Sequence, residues 1–127
     1  MNMMNMMTKY SIFIVLGLLF TRCDFINGIY WKDGDYAVFE HPAEPDCKIL
    51  CNRDHGRVNC VTKIGSNENY IIVESRGPNE KYWFIEKSRD DHLMNDFEIV
   101  EGPYDLQTFN EHKIQKGITN LNFDKEF

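Results

Sequence analysis

Tyr70-Ile71-Ile72-Val73-Glu74-Ser75 and, five residues later, Lys81-Tyr82-Trp83-Phe84-Ile85-Glu86-Lys87 decide the fold. Both runs are dense in β-branched and aromatic side chains. The segment between them, Arg76-Gly77-Pro78-Asn79-Glu80, carries Gly, Pro and Asn, so the stretch predicts a β-hairpin. Neither run alternates cleanly between apolar and polar. At the period of a strand, Tyr82, Phe84 and Glu86 share one face, and Trp83, Ile85 and Lys87 share the other. Both faces carry bulky apolar groups near the strand centre, so both require a cover.

One cover lies downstream. After Phe97-Glu98-Ile99-Val100 and a turn at Glu101-Gly102-Pro103, the spacing of Leu106, Phe109 and Ile114 predicts a helix with these residues on its inner stripe and Lys113 as their polar neighbour. Asp105 is placed to cap its N-terminus and Gly117 to end it. In the tail, Leu121 and Phe123 alternate, which suits a last extended segment laid on the body. The charged stretch over residues 88–96 reads as a solvated loop.

Upstream of the hairpin, strands are expected from Gly28-Ile29-Tyr30-Trp31, Tyr36-Ala37-Val38-Phe39-Glu40 and Lys48-Ile49-Leu50-Cys51. Residues 57–64 read as one further strand, with Val58, Cys60, Thr62 and Ile64 on one face. Lys32-Asp33-Gly34-Asp35, Asn52-Arg53-Asp54-His55-Gly56 and Gly65-Ser66-Asn67-Glu68-Asn69 supply turns. Pro42 and Pro45 break the segment between the second and third strands. Consecutive strands joined by short turns give a meander. The expected fold is a small α+β domain over residues 29–127: an antiparallel β-meander sheet of five or six strands with one C-terminal helix packed on it.

The first 22 residues differ from the rest. Lys9 precedes an uncharged apolar run over residues 10–20, the length of a signal-peptide core and too short to span a bilayer comfortably. Residues 23–28 then read as a tether. Removing the leader, whose only charged side chains are Lys9 and Arg22, leaves 12 basic against 20 acidic residues, a formal charge of −8. An acidic chain of this kind argues against nucleic acid as a partner; it suits solubility first, and otherwise a protein partner with a basic surface.

Three motifs carry a resemblance: Asn69-Tyr70-Ile71-Ile72-Val73, Tyr82-Trp83-Phe84-Ile85-Glu86-Lys87 and Gly102-Pro103-Tyr104-Asp105-Leu106-Gln107-Thr108-Phe109. Together with Phe20-Thr21-Arg22-Cys23 and the ending Phe123-Asp124-Lys125-Glu126-Phe127, the chain resembles a family of small bacterial lipoproteins. The likeness covers about half the mature chain. It implies lipidation at Cys23, which would make the mature chain membrane-anchored and facing the periplasm or cell exterior, and an accessory or immunity-like role. Arg22 departs from the pattern, which usually places a small residue before the cysteine. The shared motifs are structural and carry no active site.

Chemistry concentrates in Cys47-x3-Cys51-x3-His55-x4-Cys60. Three thiols and an imidazole at this spacing can hold zinc, but in an exported chain disulfides take precedence. Cys47, Cys51 and Cys60 are the candidates. Cys51–Cys60 and Cys47–Cys60 are the pairings that neighbouring strands allow, and spacing does not choose between them. No cofactor is implied. His41, His55, His92 and His112 lie in separate segments, and Asp90, Asp91, Asp96, Glu98 and Glu101 lack calcium-loop spacing and read as a solvated acidic face. Trp31, Trp83 and Tyr36 are candidate contacts to a partner, since Tyr and Trp anchor interfaces. The sequence thus predicts a non-enzymatic, exported binding module with an immunity or inhibitor role. A structural envelope lipoprotein, or less plausibly a small zinc-binding domain, is the alternative.

Overall fold

A computed structural model describes residues 28–44, 46–77, 81–91 and 95–127. The α+β expectation holds, and the strands divide between two sheets. Strands β1 (Ile29–Asp33), β2 (Tyr36–Glu40), β3 (Lys48–Asn52) and β4 (His55–Val58) form an antiparallel meander in chain order. Strands β5 (Val61–Ser66), β6 (Tyr70–Ser75), β7 (Lys81–Glu86), β8 (Val100–Tyr104) and β9 (Lys125–Glu126) form a second antiparallel sheet, ordered β8-β7-β6-β5-β9. A short helix, α1 (Asp96–Ile99), leads into β8, and α2 (Leu106–Gln115) follows it.

The division arises at one residue. The sequence predicts a single strand over residues 57–64, but Cys60 takes φ 54°. That left-handed conformation is incompatible with a continuing strand. The chain turns out of the first sheet and enters the second. Val58, Val61 and Ile64 therefore share the core, in place of the expected Val58, Cys60, Thr62 and Ile64. This corner splits one expected strand in two and divides the expected single sheet; with β8 and β9 the two sheets hold nine strands among the described residues.

The central hairpin behaves as its composition dictates. β6 and β7 pair in unbroken register from Tyr70↔Glu86 to Ser75↔Lys81. Ile71, Val73 and Ile85 face the first sheet, where Tyr36, Val38, Leu50 and Val58 meet them. Ile72, Tyr82 and Phe84 face the other way, against Phe109, Ile118 and Leu121. Both faces of the hairpin are covered, as two apolar faces require.

Helix α2 is capped as the sequence predicts. The Asp105 carboxylate accepts from the Thr108 N–H at 2.8 Å. At the far end, Gly117 (φ 69°) donates to the Ile114 carbonyl and Ile118 to the Lys113 carbonyl, the paired bonds of a Schellman stop. The stripe differs from expectation. Phe109 is buried, while Leu106 and Ile114 are 49% and 67% exposed. The face turned to the sheet runs instead through Phe109, His112, Lys113 and Lys116, an i, i+3, i+4, i+7 series. His112 stacks on Tyr104 at 4.3 Å, Phe109 on Phe84 at 4.7 Å, and the Lys116 ammonium lies 5.3 Å above the Phe84 ring. That ammonium sits over the ring as a cation–π contact and pairs with the Glu101 carboxylate at 2.9 Å. Gly102-Pro103, expected as a turn, lies within edge strand β8, where a missing donor is tolerated.

The tail closes the second sheet. Asp124 donates to the Ile64 carbonyl and Phe127 to that of Thr62. Gly65 lies directly beneath this crossing, where a Cβ would overlap the Asn122 carbonyl. Gly65→Ala is expected to lower unfolding stability by about 1–3 kcal/mol, the range for overpacking. Urea denaturation checks it; an unchanged midpoint would mean that the tail does not hold this position.

Candidate functional site

Two polar latches join the sheets. In the first, Arg57 of β4 donates from Nε to both Asp90 oxygens at 3.2 Å and from Nη2 to Oδ1 at 2.8 Å. Its Nη1 donates to the Gly56 carbonyl and its Nη2 also to the Asp91 carbonyl. The Tyr36 hydroxyl donates to the second Asp90 oxygen at 2.7 Å. The side chains of Arg57 and Asp90 are 1% and 0% exposed, so this is a buried ion pair with its hydrogen-bonding capacity used. Burial raises the Asp90 carboxyl, but the Arg57 and Tyr36 hydrogen bonds outweigh it and hold the group below the ordinary carboxylate range. Burial and the same hydrogen bond push the Tyr36 phenol far up. In the second latch, Asp33 at the end of β1 accepts from Lys87 Nζ and Ser66 Oγ, each at 2.6 Å, and these bonds lower its pKa.

A disulfide braces the corner. Cys47, just before β3, is bonded to Cys60, with Cα atoms 4.3 Å apart. Of the two pairings that the sequence allows, this is the one formed. Cys51 is fully buried beside Ala37 and Phe39 on the outer face of the first sheet and is also disulfide-bonded. Sulfurs in disulfides are not thiolate ligands. The only cluster of three metal-binding residue types among the described residues, Glu44 with Cys47 and Cys60, therefore offers one carboxylate and no thiolate.

Beside the corner the space between the sheets opens into a cleft of about 640 Å³. One wall is edge strand β4 with the corner: Gly56, Arg57, Val58, Asn59 and Cys60. The opposite wall comes from β6, β7 and β8, and its order follows from strand pairing. The pairs Ile71↔Ile85, Val73↔Trp83 and Ser75↔Lys81 stand on one face, running outward. Ile71, Val73 and Ile85 belong to the dry core. Trp83 packs against its edge, half-buried, and its indole N–H donates to Ser75 Oγ at 2.8 Å. Lys81 and Arg76 stand at the mouth. Among the described residues the Arg76 guanidinium makes two long contacts, to the Asp46 carbonyl at 3.4 Å and the Cys60 sulfur at 3.7 Å. No carboxylate lines the cleft among the described residues.

The expected site residues disperse. Tyr36 does not offer a partner-contact surface: it is 6% exposed and its hydroxyl points inward to Asp90. Its place in β2 faces the second sheet. Trp31 is half-buried against the inter-sheet core. Trp83 lines the cleft between the sheets. Cys23 lies outside the described residues, as does His92. His55 pairs with Asp54 at 3.4 Å on the surface. His41 accepts from the Ala43 N–H. Asp90, expected in a solvated loop, is the most enclosed carboxylate described, because Arg57 and Tyr36 converge on it from the first sheet.

Comparison with protein-family models, with curated proteins and with solved structures finds no match. The likeness to small exported lipoproteins stands on the quoted sequence motifs alone.

Proposed function

We propose that this chain is an exported, non-enzymatic binding module that takes its ligand in the cleft between the two sheets. The observation that carries the reading is the composition of the cleft. It has an aromatic wall at Trp83, apolar neighbours at Val58 and Val100, and a polar mouth, within the volume range of small-molecule sites. The disulfide and the Arg57–Asp90 latch fix both walls, so little ordering is required on binding. Occlusion of a basic protein, the immunity or inhibitor role, rests on net charge. The buried Tyr36 and half-buried Trp31 weaken it as the first choice.

Export is the second half of the reading, supported by Lys9 and the apolar run after it. Anchoring through a lipidated Cys23 is the address that the sequence motif supports, with release into an oxidising compartment as the alternative; the Cys47–Cys60 bridge suits either.

N-phenyl-1-naphthylamine, a neutral apolar fluorophore, tests the cleft. One equivalent is expected to bind and to quench Trp83. Asn59→Trp, which fills the mouth from an exposed position, is expected to abolish this. Absence of one-to-one binding, or binding indifferent to that substitution, would overturn the proposal.

A further inference from the structure

We infer that the ligand of this cleft is an amphipathic organic anion, with a flat apolar body against Trp83 and one carboxylate, sulfonate or phosphate-type group between Arg76 and Lys81. The inference rests on the cleft reading and goes beyond it, to the chemistry of the occupant.

Charge placement argues for it. The chain is strongly acidic, with 20 carboxylates against 14 basic side chains. A wall chosen at random would expose acid. This one exposes two cations and, among its described residues, no carboxylate. Arg76 follows Ser75, and Ser75 pairs with Lys81 across the hairpin, so the two residues adjoin at the end of β6 and β7, and both line the cleft. Neighbouring like charges repel unless an anion sits between them. Arg57, the third cation of the lining, is committed to Asp90 and leaves the other two without competition. Among the described residues Arg76 meets no acid: its contacts, at 3.4 and 3.7 Å, go to a carbonyl and a sulfur.

Depth argues for the apolar body. Going inward from Lys81, the same face presents the Trp83 ring and then Val73 and Ile85 of the core. A ligand whose charge stays at the mouth thus meets the indole with its remainder. Ser75 Oγ accepts from the Trp83 indole and fixes the ring's orientation. The mouth opens to water, so a charged group there keeps part of its hydration while its body is desolvated.

A matched pair of probes separates charge from shape. 8-Anilino-1-naphthalenesulfonate has the skeleton of N-phenyl-1-naphthylamine plus one sulfonate. Both are titrated into the full secreted protein, with fluorescence as readout. The sulfonate is expected to bind about tenfold more tightly or better, the gain of a charge-assisted hydrogen bond. Arg76→Gln with Lys81→Gln should remove that advantage and leave the neutral probe unchanged. Added salt should weaken only the sulfonate. Equal affinities, or a sulfonate advantage that survives the double substitution, would overturn the anion assignment while the cleft reading stood. If neither probe binds one-to-one, both fall. Both substituted side chains lie at the surface end of the hairpin, and circular dichroism of the variant establishes that it is folded.

Discussion

Asp90→Ala is expected to destabilise the protein by about 3–5 kcal/mol, the cost of leaving a buried charge without its partner. The Arg57 guanidinium is 1% exposed, and three of its recorded hydrogen bonds go to Asp90. Removing the carboxylate strands that cation between the sheets and leaves the Tyr36 hydroxyl without its acceptor. A domain of this size has about 5–15 kcal/mol in total, so the variant is expected to populate unfolded chain in mild urea. Replacing the pair together, Arg57→Met with Asp90→Leu, is expected to recover most of the loss, because well-packed apolar groups avoid the desolvation that the ions incur. Urea titrations followed by tryptophan fluorescence give both numbers. A loss below about 1 kcal/mol for Asp90→Ala, within the range of surface pairs, would mean that the latch is open to water.

The same latch sets an acid limit. Asp90 and Asp33 both titrate below the ordinary Asp value of 3.8 in the folded chain, Asp90 through Arg57 and Tyr36 and Asp33 through Lys87 and Ser66. A carboxyl with a lowered folded pKa stabilises the fold above its unfolded value. That stability is lost as pH falls through the folded value. The melting temperature is therefore expected to hold near neutrality and to fall below about pH 4. Asp90→Asn should flatten that fall. A slope unchanged by this substitution would assign acid sensitivity to other groups.

What the sequence disclosed was what local chemistry determines. The hairpin was legible because both strands and the loop are written in adjacent residues. So were the Asp105 cap and the Gly117 stop, each decided within one helical turn. The latch was not legible. Asp90 sits in a charged run, and nothing within ten residues announces that Arg57 and Tyr36 arrive from another sheet. The helix stripe departs from expectation for a related reason: hydropathy favours Leu106 and Ile114, but an aromatic floor of Tyr82, Phe84 and Tyr104 is covered as well by Phe109, His112 and Lys116. Of the cleft, the sequence showed only that Trp83 stands on the face opposite Tyr82 and Phe84; Ser75 joins that face through the strand register. The facing wall depends on the turn at Cys60, and a positive φ at a non-glycine residue leaves no mark in composition.

Removing the Cys47–Cys60 bridge is expected to have the second large effect, about 2–5 kcal/mol, of which chain entropy for a closed loop of this size accounts for about 3 kcal/mol. The bonded residues are 13 apart and enclose the whole of β3 and β4. They also hold the chain where it leaves the first sheet, so the loss should reach the cleft. Cys47→Ala with Cys60→Ala is expected to lower the urea midpoint and to weaken binding of the neutral probe, because Asn59 and Cys60 form one wall. A lowered midpoint with unchanged probe affinity would show that the wall is set by β4 alone. Intact mass of the protein purified from its native source tests the address. A chain that begins at Cys23 with acyl mass added would establish the lipid anchor, and one without acyl mass would establish release; in either case reduction should add two hydrogen atoms for the Cys47–Cys60 bridge.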